Sequence, residues 1–377
     1  MKDITRRALI AGSLGAAGLA AAGCSSSGSS SQSASSPSSA VTPSTTPTSA
    51  SPSPTPTVKR DTRPRAPLTG RLISDPSKLD HPAVAVKVPN LRQEYPQLGI
   101  DAADIVFVEK IGPSMTRLVP VFHSSFPPGV NPVRSVRPVD IALLSPMRPV
   151  FANTGDIPWV INYLHHYSQY IEDKPYMDMR GTDAYGIDGS RVYQISGTTY
   201  YDRAVVAHPA ELARLATRLR KPPPEPYLPF ALTDAEVSTN RGKPASSVAV
   251  TYDPGCVMGY GYDKGSHTYL RSEPWGPHVT ATGVRIRTDN VLVIRANWRM
   301  GKIYSGRGGD DPVTDIVNTS GSFFYLHGGK YVTGTWKKGP VESLFSFTTS
   351  DGKPLKVAPG KTWIELPPKD AGVRITA

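Results

Sequence analysis

From Ser25 to Thr57 the chain is built almost entirely of Ser, Thr, Pro and Ala, and no charged residue occurs between Arg7 and Lys59. Such a stretch cannot bury enough apolar surface to offset the entropy of ordering its backbone. The composition therefore predicts a disordered tether and moves every packed element downstream, where the first aromatic residue is Tyr95. A free coil of this length would reach roughly 30 Å, and about 100 Å if it were polyproline-like. The Thr and Pro content also fits a glycosylated stalk. What remains of the 377 residues suffices for one large or two ordinary domains.

The residues before the tether predict where the protein works. Thr5-Arg6-Arg7-Ala8-Leu9-Ile10 has the pattern of a twin-arginine export signal, followed by a weakly apolar run from Ala8 to Ala22. That run is shorter than the ~20 residues a membrane span needs. It ends in Leu19-Ala20-Ala21-Ala22-Gly23-Cys24, which is similar to a bacterial lipobox with Ala21 where Leu is usual. Residues 1–23 are thus expected to be a signal peptide, Cys24 a lipidated N-terminus and 24–65 a linker. Several acyl chains, at ~0.8 kcal/mol per buried methylene, would hold the protein at the extracytoplasmic face of the cell membrane. Plain cleavage with Cys24 as a bystander is the alternative. Lys59, Arg60, Arg63 and Arg65 read as a solvated basic hinge.

Folding is expected from about Pro67. Ala83–Val88, Asp104–Glu109 and Thr116–Phe122 read as strands, the third at a sheet edge because of Pro120. Trp159, Val160, Tyr163, Leu164 and Tyr167 share a helical face, and Pro209 opens a helix with an apolar stripe of Leu212, Leu215 and Leu219. Lys221-Pro222-Pro223-Pro224-Glu225-Pro226 ends that half. Beyond it the sequence is a succession of strand-like runs punctuated by Gly, Asp, Asn and Pro, from Ser247–Tyr252 to Thr362–Leu366. The expected fold class is α+β: a mixed α/β domain over 66–221, then a mainly antiparallel β domain over 230–377.

Several motifs carry a family resemblance. Val86-Lys87-Val88-Pro89-Asn90, Pro96-Gln97-Leu98-Gly99, Met115-Thr116-Arg117 and Pro132-Val133-Arg134-Ser135-Val136-Arg137-Pro138 resemble the YerB family. In the second half, Asp289-Asn290-Val291-Leu292-Val293, Gly334-Thr335-Trp336-Lys337 and Pro359-Gly360-Lys361-Thr362-Trp363 agree with it as well. The resemblance runs from about Leu68 to the C-terminus and implies a bacterial lipoprotein with a two-part domain of unknown function. It implies architecture and location but no reaction. Where that family tends to carry an acidic, glycine-containing stretch before Thr-Arg, this chain has Lys110-Ile111-Gly112-Pro113-Ser114.

The candidate site is the segment between Pro132 and Pro138. Arg134 and Arg137, three residues apart between two prolines, could grip a phosphate or carboxylate, with Arg117, Ser135 and Asn90 adding hydrogen bonds. Asp104, Glu109 and Asp140 are their candidate acid/base or ion-pair partners. The plainer reading is an internal ion-pair network. No metal or cofactor is expected: the eight histidines show no ligand spacing, and no Gly-x-Ser-x-Gly or phosphate-binding loop occurs. Gly308-Gly309-Asp310-Asp311-Pro312 reads as a turn, His208 as a helix-entry residue and Cys256 as a buried thiol. Tyr260, Tyr262, Tyr269, Trp275 and Trp298 read as β core or as a sugar-stacking face.

The formal net charge of +11 is spread along the chain, which argues against nucleic acid and fits anionic lipid headgroups or cell-wall polymers. The sequence thus points to a noncatalytic binding or scaffolding lipoprotein of the cell envelope that recognises an anionic group. Its partners would be the membrane, through Cys24, and a wall polymer or envelope protein. The alternative is an envelope hydrolase or phosphodiesterase with an Arg/acid site. Sequence leaves the oligomeric state open.

Overall fold

Strand Val84–Val86 (β1) is apolar at every position, and so are most of Ile105–Gly112 (β2) and Met115–Phe122 (β3). A strand with no polar face needs cover on both sides. The computed structural model, which describes residues 61–377, supplies it in three layers. The signal peptide, Cys24 and the tether up to Arg60 lie outside the described residues.

The middle layer is a twelve-stranded sheet. Its further strands include Val150–Asn153 (β4), Glu172–Pro175 (β5), Asn290–Ile294 (β6), Thr319–His327 (β7), Lys330–Lys338 (β8) and Thr362–Leu366 (β9). Along its centre the order is β8-β7-β6-β9-β2-β3-β1-β4-β5. β9 pairs parallel with β2, Thr362 opposite Ile105 and Leu366 opposite Glu109, so strands from the two sequence halves meet inside one sheet. The proline-rich stretch after Lys221 divides the sequence but not the body, since the described residues form one compact unit.

Alternation along the strands sends side chains to two cores. Ile105 and Phe107 join Leu292, Ile294 and Ile364 under helices Pro138–Leu144 (α1) and Pro158–His166 (α2), where Trp159, Val160 and Leu164 are buried. Val106 and Val108 join Val291, Val293 and Trp363 on the other face. There they meet a six-stranded sheet built on Ser247–Asp253, Cys256–Asp263 and Thr268–Glu273, together with helix Pro209–Arg214 (α3). The first of these strands alternates buried and half-buried residues, with Val248, Val250 and Tyr252 inward. The fold is α+β, with the second half mainly antiparallel.

Three local expectations change. Pro120 is not at an edge: β3 pairs with β2 on one side and with β1 on the other. Its missing N–H is tolerated because the neighbouring chain breaks at Lys87, between β1 and the short strand Val88–Asn90. α3 ends at Arg214, so Leu215 is its cap and Leu219 lies beyond it, its N–H donated to Glu172 at 2.7 Å. Arg65 is not a solvated hinge residue; its guanidinium donates to the carbonyls of Gly70 and Leu232, both at 2.8 Å.

Candidate functional site

β1, β2, β4, β6 and β9 all run in one direction, so their carboxyl ends share an edge of the sheet. Open sheets with parallel strands place ligand crevices there. The interruption of the chain after β1 turns Lys87 inward at this edge, where its ammonium contacts Glu109 of β2 and lies 2.8 Å from Asp140 of α1. All three side chains are fully buried. Burial pushes Lys87 well below the ordinary lysine range, against the pull of Asp140. Arg117, opposite Glu109 in the β2–β3 ladder, donates to the Ser135 carbonyl at 2.7 Å and makes no ion pair among the described residues.

Arg137 precedes α1, and its main-chain N–H donates to Asp140 at 2.7 Å, which caps the helix. Its guanidinium donates to Asp156 and to the Val136 carbonyl, and its Nε lies 3.7 Å from Asp311. Asp311 is therefore not a turn residue in a solvated loop. It opens strand Asp311–Asp315, and burial raises its pKa to about 6 although Arg137 opposes the shift. A carboxyl with a folded pKa above its unfolded value near 3.8 costs stability as pH rises through the window between the two. Asp311→Asn should remove that slope and stabilise the protein at pH 7 by about 1–2 kcal/mol, after allowance for solvent screening. Urea unfolding across pH 4–7 tests this, and a variant less stable than the parent at pH 7 would contradict it.

The two arginines expected to act together do not converge. Arg137 is extended, with φ −131° and ψ 154°, while Arg134 contacts a different pair of acids, Glu94 and Asp202, the latter at 2.8 Å. Glu94 is buried, so half of this pairing is internal. The joint grip of Arg134 and Arg137 on one outside anion is thus replaced by separate pairings with acids at positions 94, 202, 156 and 311. Asn90 is elsewhere again, donating to Thr116 at 2.8 Å and to Glu273 at 3.2 Å. Asp104 accepts the N–H groups of His123 and Ser124, both at 2.7 Å, and works as a turn cap. The structure therefore groups Arg117, Arg137, Glu109, Asp140 and the Ser135 backbone, and adds Lys87, Asp156 and Asp311.

A second buried polar network lies between the two sheets, where the sequence reading offered aromatic core. Tyr252 donates to Glu365 at 2.7 Å, Tyr260 donates to the same carboxylate, and Arg271 contacts Glu273 while its Nε donates to Tyr260 at 3.1 Å. His278 accepts from Arg271 at 2.7 Å through Nδ1 and donates to Gln97 at 3.0 Å through Nε2. Burial and the neighbouring Arg271 charge keep this imidazole neutral. The only local sign in the sequence was Arg271 and Glu273 two apart on a strand, hence on one face. Cys256 is buried and its thiol is pushed up to about 11, an inert state. Among the described residues no three metal-binding side chains cluster, and no helix is long and apolar enough to cross a membrane.

Two family models match the chain. The one described as "Protein of unknown function (DUF3048) N-terminal domain" covers residues 68–202, and its C-terminal counterpart covers 248–364. The putative lipoprotein YerB of Bacillus subtilis (strain 168) is 29% identical over 315 residues, spanning 81% of this chain and 86% of that protein. The crystal structure of the YerB protein from Bacillus subtilis superposes with a TM-score of 0.63 at 24% identity, covering 83% of this chain and 100% of that one. The last comparison is one of fold.

Proposed function

The chain belongs to the DUF3048 family, and from that membership we propose that it is a lipid-anchored, noncatalytic binding or scaffolding protein on the outer face of the cell membrane, recognising an anionic group of the envelope. Its similarity to a protein described as a putative lipoprotein supports the anchor, and the lipobox-like run ending at Cys24 supports that cysteine as its attachment point. The observation that favours binding over catalysis is the enclosure of the acids: Glu109 and Asp140 are fully buried and Asp104 is 2% exposed. A general base must come within hydrogen-bond reach of its substrate. Carboxylates buried against Lys87 or used as a turn cap have no such access.

A hydrolase reading retains one point in its favour. Lys87 and Asp311 are both pushed toward neutrality at the carboxyl edge of the parallel strands, where perturbed groups often mark a catalytic site. One experiment separates the two readings. The mature full chain, in detergent, is incubated with isolated cell-wall material. Binding predicts salt-sensitive retention and no release of wall fragments, for the parent and for Glu109→Gln alike. Fragment release that Glu109→Gln abolishes while retention persists would establish the enzyme instead. Mass spectrometry of the mature N-terminus checks the anchor, which an unmodified Cys24 would rule out.

A further inference from the structure

We propose that a basic groove formed by Arg71, Arg285, Arg287 and Lys361 binds a phosphate-class anion. This deepens the envelope-binding reading and rests on it. The groove is an open concavity of about 280 Å³ that shares no lining residue with the Arg137 cluster. Three distant segments supply its cations: Arg71 near the start of the body, Arg285 and Arg287 beyond the strand Thr268–Glu273, and Lys361 immediately before β9. No sequence window holds all four cations, which is why the pattern was invisible before folding.

Charge balance is the first argument. Four cations line the groove with two carboxylates, those of Asp101 and Asp289. Asp289 is already engaged, accepting from Arg71 at 2.7 Å and from the Lys361 main-chain N–H at 2.7 Å. Among the described residues Arg285, Arg287 and Lys361 form no ion pair. This contrasts with Arg134 and Arg137, each of which has two acids within reach.

Fixation is the second. Solvated surface cations swing freely, whereas here two are held in place. Arg285 donates to the carbonyls of Arg271 and His278, the latter at 2.9 Å, and to Ser272 at 3.2 Å. The Lys361 ammonium donates to the Asp101 carbonyl at 2.6 Å. Gly360 has φ +155°, and a Cβ there would lie 2.5 Å from the Asp289 side chain, so glycine is what lets this turn close against Asp289 and aim Lys361. Burial disfavours the charge on both Lys361 and Arg285, a cost that a bound anion relieves. A phosphate, with three or more acceptor oxygens and up to two charges, matches several donors arriving from separate directions.

The test is calorimetry of the full chain with inorganic pyrophosphate at low salt. Saturable one-site binding is expected. Arg287→Gln and Lys361→Gln should each weaken it about tenfold or more, the loss that follows removal of one charge-assisted hydrogen bond. Arg241→Gln removes the same charge from a different groove and should change it less than twofold. Arg287 is exposed, so its variant is expected to keep the parent's unfolding midpoint and report binding alone. No saturable binding, or equal weakening by Arg241→Gln, overturns the proposal. Sedimentation of the unacylated Cys24→Ser chain with phosphatidylglycerol but not phosphatidylcholine vesicles, lost when Arg287→Gln is added, would assign the phosphate to a lipid headgroup; pyrophosphate binding without vesicle capture would assign it to a soluble or wall-borne source. If pyrophosphate fails while wall material still retains the parent, the groove falls and the binding function stands.

Discussion

Lys87→Met should destabilise the protein by about 3–5 kcal/mol, the cost typical of breaking a buried ion pair by removing one partner. Methionine has nearly the length of lysine and packs in an apolar site, so the loss reports charge rather than a cavity. The ammonium holds two fully buried carboxylates, Glu109 of β2 and Asp140 of α1, and thereby joins the sheet to the helix layer. Asp140 would keep the Arg137 N–H. Glu109 would keep nothing, because neither of its oxygens has a hydrogen-bond partner among the described residues apart from its contact with the lysine. Most of the penalty should therefore come from Glu109, and the double variant Lys87→Met/Glu109→Gln should recover about half of it. Urea denaturation measures both. A Lys87→Met protein within about 1 kcal/mol of the parent would mean that water reaches this trio and that the buried network is not what joins the layers.

How much of this could be read beforehand follows from the range of each interaction. β2, the helical face from Trp159 to Tyr167 and the β-rich second half were legible because periodicity is local. The position of Pro120 was not, since its tolerance depends on a break in a neighbouring strand at Lys87. The charged segment 134–137 was read as a grip for an outside anion, but where its guanidiniums go depended on partners 19 to 174 residues away: Asp156 and Asp311 for Arg137, Glu94 and Asp202 for Arg134. An arginine pair in sequence says how close two backbones are, not which way two guanidiniums leave. The same reasoning explains the basic groove and the Arg271 network, each assembled from segments that only the β9–β2 pairing and the stacking of the two sheets bring together.

Arg271→Met should cost a similar 3–5 kcal/mol, and its effect should depend on pH in a way that identifies the cause. Arg271 is fully buried between the sheets, in contact with Glu273, 3.7 Å from Glu365 and with its guanidinium 4.5 Å above the Trp363 ring. Glu365 belongs to β9 of the large sheet, whereas Glu273 and Tyr260 belong to the six-stranded sheet, so the arginine neutralises acids from both layers. Burial already raises the Glu365 pKa, with Arg271 the main charge opposing the rise. Removing the arginine raises it further. The folded variant would then hold a proton that the unfolded chain releases near the ordinary carboxylate range, so its stability falls as pH rises from that range toward the raised folded value. The deficit relative to the parent should be larger at pH 8 than at pH 5, where a protonated carboxyl can stay buried while the Tyr252 and Tyr260 hydroxyls keep it hydrogen-bonded. Urea midpoints of parent and variant at pH 5 and pH 8 decide the matter. Equal deficits at both would attribute the loss to packing against Trp363 alone, and no deficit at pH 8 would show that the two sheets are held together by their apolar contacts without this charge.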